Sequence, residues 1–391
     1  MVLVPSVLVA ASPALAETQA GVGIGAEVLA DSRPFLVENR EADVAGSIRA
    51  TPFLRTSSGR TTFRVDADLM ARRFSKASNG SETSANAGGE LIYRPSSYVN
   101  MFASGRFSSV LNGIGFGNVA LPSPDTALPP ITGPLPDVSL IGNRVRTETA
   151  TANLGMSARL SPLDELTVTA TGSQSKASAL IGRDFSFVNL GLSYSRTLST
   201  RLAVTANVTY GRSNFLRTPL GDGSIVSPTL GIRLTLSPRL TINASGGVTF
   251  TESDLGLAGK VRTTQLAGTL NFCRLEERGS LCLSAARTAQ PTVLGGIQTL
   301  SSVAISYTKR LAERDNFRLN LAYNGNSAGM NGPLAVPSSQ LYNASATWAH
   351  SINRRLSFDL TPSYARIHNF GRSFDNVRLL GSLRYSFGAI L

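Results

Sequence analysis

The segments TLSTRLAVTANVTYG (197–211) and TLSPRLTINASGGVTF (235–250) start 38 residues apart and share one plan. Each opens on a Leu-Ser-x-Arg-Leu turn and continues with apolar residues at every second position. In the first, Leu202, Val204, Ala206, Val208 and Tyr210 alternate with Ala203, Thr205, Asn207 and Thr209. A period of two places the two sets on opposite faces of an extended strand, one apolar and one polar. The same alternation occurs in 166–172, 188–194, 230–236, 266–272, 303–307, 317–323 and 356–364, and more weakly in 20–30, 63–69, 85–93, 99–107 and 150–160. Tight turns fall near Ser58, Ser96, Leu163, Thr200, Pro238, Arg278, Arg314 and Asn353, with spacings of about 38 residues except for one of about 67. Each unit is therefore a strand, a longer loop, a second strand and a short turn.

This arithmetic constrains the fold. Counted from Ala20, it gives about 18 strands of roughly 10–13 residues, with 16 also compatible; a tilted membrane-crossing strand needs about 9–11. A propeller blade of similar length would hold four short strands, whereas each unit here has room for two long ones. A soluble sandwich would turn a charged face to water. Charged residues make up only 16% of this chain, and Thr, Ser, Asn and Gly fill the polar faces. No run of about 20 apolar residues follows the N-terminal stretch, which excludes transmembrane helices. The expected fold is all-β, an antiparallel transmembrane β-barrel, with a soluble solenoid or propeller as the competing form. An even strand count places both chain ends on one side, with the short turns.

The first residues, MVLVPSVLVAASPALAETQA, combine an apolar stretch with the small-residue site Ala14-Leu15-Ala16. They read as a signal peptide over 1–16, cleaved before Glu17, with 17–391 as a single barrel domain. The competing reading is a short N-terminal core segment. The two cysteines, Cys273 and Cys282, are too far apart for a CxxC motif, and the two histidines, His350 and His368, lie far from each other. No metal site and no cofactor is expected. The net charge of +12 comes from scattered basic residues rather than a Lys/Arg cluster with stacking aromatics, which argues against nucleic acid as a partner.

A barrel makes sense of the aromatic residues. Tyr194, Tyr210, Phe250, Tyr307, Tyr323, Trp348, Tyr364, Tyr385 and Phe387, together with Tyr93 and Phe107, lie near strand ends on the apolar parity. That suits girdles at the two membrane interfaces; core aromatics of a sandwich are the alternative. The longer loops are 33–41, 78–82, 110–146, 179–184, 216–224, 254–262, 291–298, 330–340 and 371–376. The third is the longest and contains LPSPDTALPPITGPLPD, whose prolines stiffen it and forbid regular pairing.

The signal peptide, the strand–turn repeat and the long third loop resemble bacterial outer-membrane porins. The Leu-Ser-x-Arg-Leu turns resemble the β-barrel porin group, some of whose members accompany exopolysaccharide genes in α-proteobacteria. The resemblance implies a Gram-negative outer-membrane location, short turns on the periplasmic side and a third loop, 110–146, folded into the barrel to narrow the pore. It also implies recognition by the barrel assembly machinery through the C-terminal strand, where Phe387 in LRYSFGAIL resembles the usual terminal aromatic residue.

Strand parity also sorts the charges. Arg64, Arg94, Arg106, Arg159, Arg233, Arg318 and Arg384 share the polar, lumen-facing parity with Asp66, Asp68, Glu90 and Asp359. The balance is basic, which predicts a mild preference for anions through field focusing in a narrow pore; the competing reading is mutual pairing as wall ladders. Cys273 and Cys282 flank the Glu277–Arg278 turn symmetrically on the same parity, so an oxidising compartment favours a cross-strand disulfide. Arg262 and Lys260 are placed to meet anionic lipopolysaccharide. The expected function is a channel passing small polar or anionic solutes, linked through the resemblance to exopolysaccharide export. A plugged structural or adhesin barrel is the alternative. An enzyme is the third class, and its sole candidates are His368 and Asp375 in one loop.

Overall fold

The alternating segments form one closed sheet. The computed structural model describes residues 17–34, 41–76, 80–111, 145–177, 184–216, 221–254, 259–292, 296–327, 338–369 and 371–390. Its strands are β1 (Glu17–Asp31), β2 (Asp43–Ser57), β3 (Thr61–Phe74), β4 (Ser81–Tyr93), β5 (Val99–Leu111), β6 (Arg146–Arg159), β7 (Asp164–Ala177), β8 (Phe185–Thr197) and β9 (Leu202–Phe215). They continue as β10 (Gly223–Ser237), β11 (Leu240–Asp254), β12 (Lys260–Glu276), β13 (Gly279–Pro291), β14 (Ile297–Arg310), β15 (Asp315–Ser327), β16 (Ser339–Ser351), β17 (Leu356–Asn369) and β18 (Arg372–Ile390). Each strand pairs antiparallel with its sequence neighbours, and β1 pairs with both β2 and β18. Val22 thus sits between Pro52 of β2 and Phe387 of β18. Closure joins the sheet's first and last strands, and that matters because an unpaired backbone polar group in hydrocarbon costs several kcal/mol.

The recurring Ser of the short turns has a structural reason. At the β8–β9 turn, the Leu198 and Ser199 amides donate to the Leu202 carbonyl at 2.8 and 3.1 Å. The Ser199 hydroxyl then accepts from the amides of Arg201 and Leu202 at 3.2 and 3.1 Å. Ser161 repeats this with Leu163 and Asp164, both at 3.1 Å, and Asn353 repeats it with Arg355 and Leu356 at 2.8 and 2.9 Å. A short polar side chain at this position satisfies amides that the reversing backbone leaves over. Each turn also stitches to the next hairpin: the Thr235 amide donates to the Arg201 carbonyl, Leu275 to Arg239 and Arg310 to Arg278, at 2.8, 2.7 and 2.6 Å.

One difference from the sequence expectation is strand length. The strands run 13–19 residues rather than 10–13, and the loops shorten to match. The segment 371–376, expected as a loop, lies almost wholly in β18, and β17 and β18 are joined through 370–371, with Gly371 at φ 75. Backbone ladders do not require an apolar face. Toward the long-loop ends apolar residues such as Leu29, Phe74, Phe185, Phe215 and Ile367 turn inward into small buried clusters, so the outward hydrophobic period fades while the hydrogen bonding continues.

Directly paired residues share a face, so the registers sort the whole wall. Val22, Ile24, Val28, Ile48, Leu69, Leu154, Leu190, Leu230 and Leu266 lie on one face and are exposed. The opposite face carries hydroxyl ladders, among them Ser227–Thr249 at 2.6 Å, Ser245–Thr269 at 2.8 Å and Thr347–Thr361 at 3.0 Å. The apolar face is the outside of the barrel and the polar face lines its interior.

Candidate channel lumen

The outer face carries the aromatic residues. Tyr194, Tyr210, Phe250, Tyr307, Tyr323, Trp348, Tyr364, Tyr385 and Phe387 all pair with outward-facing partners, such as Leu166 for Tyr194 and Val22 for Phe387. Some meet each other, as Tyr323 and Tyr342 do across β15–β16 with ring centroids 5.1 Å apart. Others reach polar partners: the Trp348 indole donates to Asp315 at 3.1 Å and the Tyr364 hydroxyl donates to Asp375 at 2.7 Å.

Inside, charges gather on the wall formed by β18 and β1–β4. Arg49 joins Asp68 (Nε to Oδ1, 2.7 Å) to Glu27 (3.3 Å). Arg72 reaches Glu27 at 3.7 Å and Glu82 at 3.5 Å, and the Ser47 hydroxyl donates to Glu27 at 3.1 Å. Arg378 lies 3.0 Å from Asp31. Glu27, Asp31, Arg72, Glu82 and Arg378 are all buried. Cross-strand register makes this possible: Glu27 pairs with Ser47, Ser47 with Arg72 and Arg72 with Glu82, so the side chains stack in one row.

Of the charges expected in the lumen, Arg64 and Asp66 lie on the inward face 3.2 Å apart, and Asp68 belongs to the cluster. Glu90 is inward, opposite Arg64. Arg384 reaches Asp359 at 3.8 Å, and the Ser382 hydroxyl donates to Asp359 at 3.2 Å. Arg106, Arg159, Arg233 and Arg318 occupy inward positions, are exposed to the interior and make no ion pair among the described residues; Arg233 donates to Asn243 at 3.0 Å. Arg94 differs. It follows the end of β4 in an exposed turn, where its amide bonds the Arg60 carbonyl at 2.8 Å, so it lies at the rim and not along the wall. The row of Glu27, Arg49, Arg72, Glu82 and Arg378 was missed because β2 and the upper parts of β1, β3 and β18 lack a strong apolar alternation. Parity held the signal: Arg72 is two turns of the pleat beyond Asp68 on the same face.

The remaining candidates are placed as follows. Cys273 and Cys282 form a disulfide with Cα atoms 4.2 Å apart, on the inward face of β12–β13. Lys260 and Arg262 both engage Glu252, at 2.7 and 2.8 Å, on the outer side. His368 and Asp375 lie on the outer face, where Asp375 is 3.9 Å from Arg366 and accepts from Tyr364; no hydrogen bond joins it to His368. The signal segment 1–16 and nearly all of the loop 110–146 lie outside the described residues. No cluster of three or more potential metal ligands occurs among the described residues.

The result is a wall of two kinds. One side carries a buried, nearly balanced charge network, and the rest is lined mainly by hydroxyls, amides and separate arginines, several of them in the half nearest the short turns, with small apolar clusters such as Phe185 with Phe215 and Leu341 with Ile367 toward the long-loop ends. Water and polar solutes find hydrogen-bonding partners over most of such an interior.

No protein-family model and no curated protein matches the sequence. Among solved structures, the chain is similar to a BenF-like porin from Pseudomonas fluorescens Pf-5, with 10% identity over 95% of this chain and 99% of the other and a TM-score of 0.48. It is also similar to the outer membrane protein OpdK from Pseudomonas aeruginosa, with 12% identity over 94% and 99% and a TM-score of 0.46. OccAB3 from Acinetobacter baumannii is similar at 13% identity over 95% and 99%, with a TM-score of 0.42. These are likenesses of backbone course, and the fold of this chain rests on its own ladders. A closed, even-stranded barrel with an apolar outer belt and a polar interior belongs in the bacterial outer membrane.

Proposed function

We propose that this protein is an outer-membrane channel for passive passage of small polar solutes, with a mild preference for anions. The observation that carries the reading is the inward face itself. It is largely polar, with hydroxyl ladders, amides and charged side chains on strands spread round an 18-stranded barrel, a strand number that leaves an aqueous interior. The inward arginines without ion pairs supply the anion preference. In this reading residues 1–16 are removed on export, and the segment between Leu111 and Val145 narrows the pore. The outer face meets lipid and lipopolysaccharide, and the C-terminal strand with Phe387 is the part handed to the assembly machinery. A link to exopolysaccharide export follows from the sequence resemblance.

The test is conductance of the purified protein in planar bilayers, with the reversal potential measured across a salt gradient. Discrete channels with a reversal potential on the anion side support the reading. A protein that inserts and conducts nothing, with the 112–144 segment shortened as well as intact, fits a structural or adhesin barrel instead.

A further inference from the structure

The barrel wall is not zipped to one height. The β12–β13 ladder runs from Glu276–Gly279 to Gly268–Arg287 and stops there. Both strands go on. β12 continues through Ala267 to Lys260 paired with β11, and β13 continues through Thr288 to Pro291 paired with β14. Among the described residues, the upper half of β12 therefore has a free edge of backbone donors and acceptors, a feature that sheets ordinarily pair, cover or charge.

The upper part of the β13–β14 hairpin has left the wall inwards. A Cβ built on Gly221, next to β10, would come within 2.9 Å of the Gly296 nitrogen, and one on Gly223 within 2.7 Å of Ile297 Cδ1. Going round the wall, β11 and β12 stand between β10 and β13. The hairpin reaches Gly223 only by leaning across their inward faces. Burial agrees. Residues 290–292 and 297–300 are all buried, although successive residues of a strand point to opposite sides. The inward Thr249, Thr251 and Ser253 of β11 are buried as well.

The leaning position leaves polar atoms unmatched. Gln265 Oε1, Thr292 Oγ1, Gln298 Nε2 and Thr299 Oγ1 are buried without hydrogen-bond partners. If the existing register were extended past Gly268–Arg287, Ala267 would face Thr288 and Gln265 would face Gln290, both on the inward side. The free edge of β12 would then be paired. The Cys273–Cys282 bridge crosses this same seam below Gly268–Arg287. It pins the two strands there and fixes how far down they can part.

We propose that the upper parts of β13 and β14, residues 288–291 and 297–300, are a gate with two positions. Leaning inward, it narrows the mouth on the long-loop side. Zipped onto the free edge of β12, it completes the wall and widens the mouth. Its effect on current rests on the channel reading, whereas the movement does not.

Cysteine pairs test it in the folded protein with the native disulfide in place. Gln265→Cys with Gln290→Cys, and independently Ala267→Cys with Thr288→Cys, report the zipped position. Ser253→Cys with Ile297→Cys reports the leaning one, since Ser253 pairs with Gly223. Under mild oxidant all three pairs are expected to cross-link, and locking either seam pair should raise single-channel conductance about twofold over the leaning lock. Seam pairs that stay reduced while the 253–297 pair closes would make the hairpin a fixed constriction and overturn the gate, as would seam cross-links that leave the current unchanged. A parent protein that conducts nothing while both kinds of pair form would remove the channel reading and leave the movement standing.

Discussion

Replacing Arg72 with Ala should destabilise the barrel by about 3 kcal/mol. Arg72 is only 8% exposed and sits between two buried carboxylates, 3.5 Å from Glu82 and 3.7 Å from Glu27. Removing one partner of a buried ion pair typically costs about 3–5 kcal/mol, because the charge left behind has lost the water it had when unfolded. Glu27 keeps Arg49 at 3.3 Å and the Ser47 hydroxyl at 3.1 Å, which points to the lower end of that range. Arg64→Ala is the internal comparison. Its pair with Asp66 is about half exposed on both sides, 52% and 45%, so water screens it and the loss should stay below about 1 kcal/mol. The assay is reversible urea unfolding in lipid vesicles, followed through the fluorescence of Trp348, the single tryptophan. Arg72→Met separates the lost charge from the lost alkyl stem. If Arg72→Ala and Arg64→Ala fall within about 1 kcal/mol of each other, the cluster is solvated like the open wall and the burial argument is wrong.

Ser199→Ala should cost about 1 kcal/mol in the same assay, since its hydroxyl serves two turn amides; Ala312→Gly, at a turn that closes without such a hydroxyl, is the comparison. Thiol titration of unfolded, unreduced protein taken from membranes should find no free thiol, and two per chain would contradict the Cys273–Cys282 bridge. Neutralising Arg106 and Arg233 together, as Arg→Gln, should move the reversal potential toward zero in a salt gradient; an unchanged value would place anion preference elsewhere.

Much of the wall was legible because lipid imposes a rule on every second residue. Strands such as β9 and β11 announce themselves through Leu, Val and Tyr on one parity, and the 38-residue spacing supplied partners for strands with a weaker pattern, among them β2, β13, β16 and β18. The outward face of the nine aromatics expected at the girdles could be read by parity alone. Arg94 went astray because parity extends past a strand end on paper while the backbone does not, and the turn begins one residue after Tyr93. The charge row from Glu27 to Glu82 depends on which strands neighbour each other and in what register, and that information is spread over β1–β4 rather than held in any one segment. The inward lean of the β13–β14 hairpin left no trace in the periodicity, because Gln290, Thr292, Gln298 and Thr299 suit a wet wall and a folded-in tip equally well.

The pairing of Val22 with Phe387 sets the order of events when the barrel forms. Every other seam joins strands that are neighbours in sequence, and all but β5–β6 close over a short connection, at small entropic cost. The last seam joins the first and last strands, so until β1 meets β18 a growing sheet carries two raw edges. Such edges invite pairing with any other unfinished sheet, and long-range closure is the slow step in β topologies. Changes along β1 and β18, where a side chain on Gly21 would meet the Phe53 ring and the Phe387 carbonyl, should therefore register in the yield and rate of assembly long before they register in the stability of a barrel already closed.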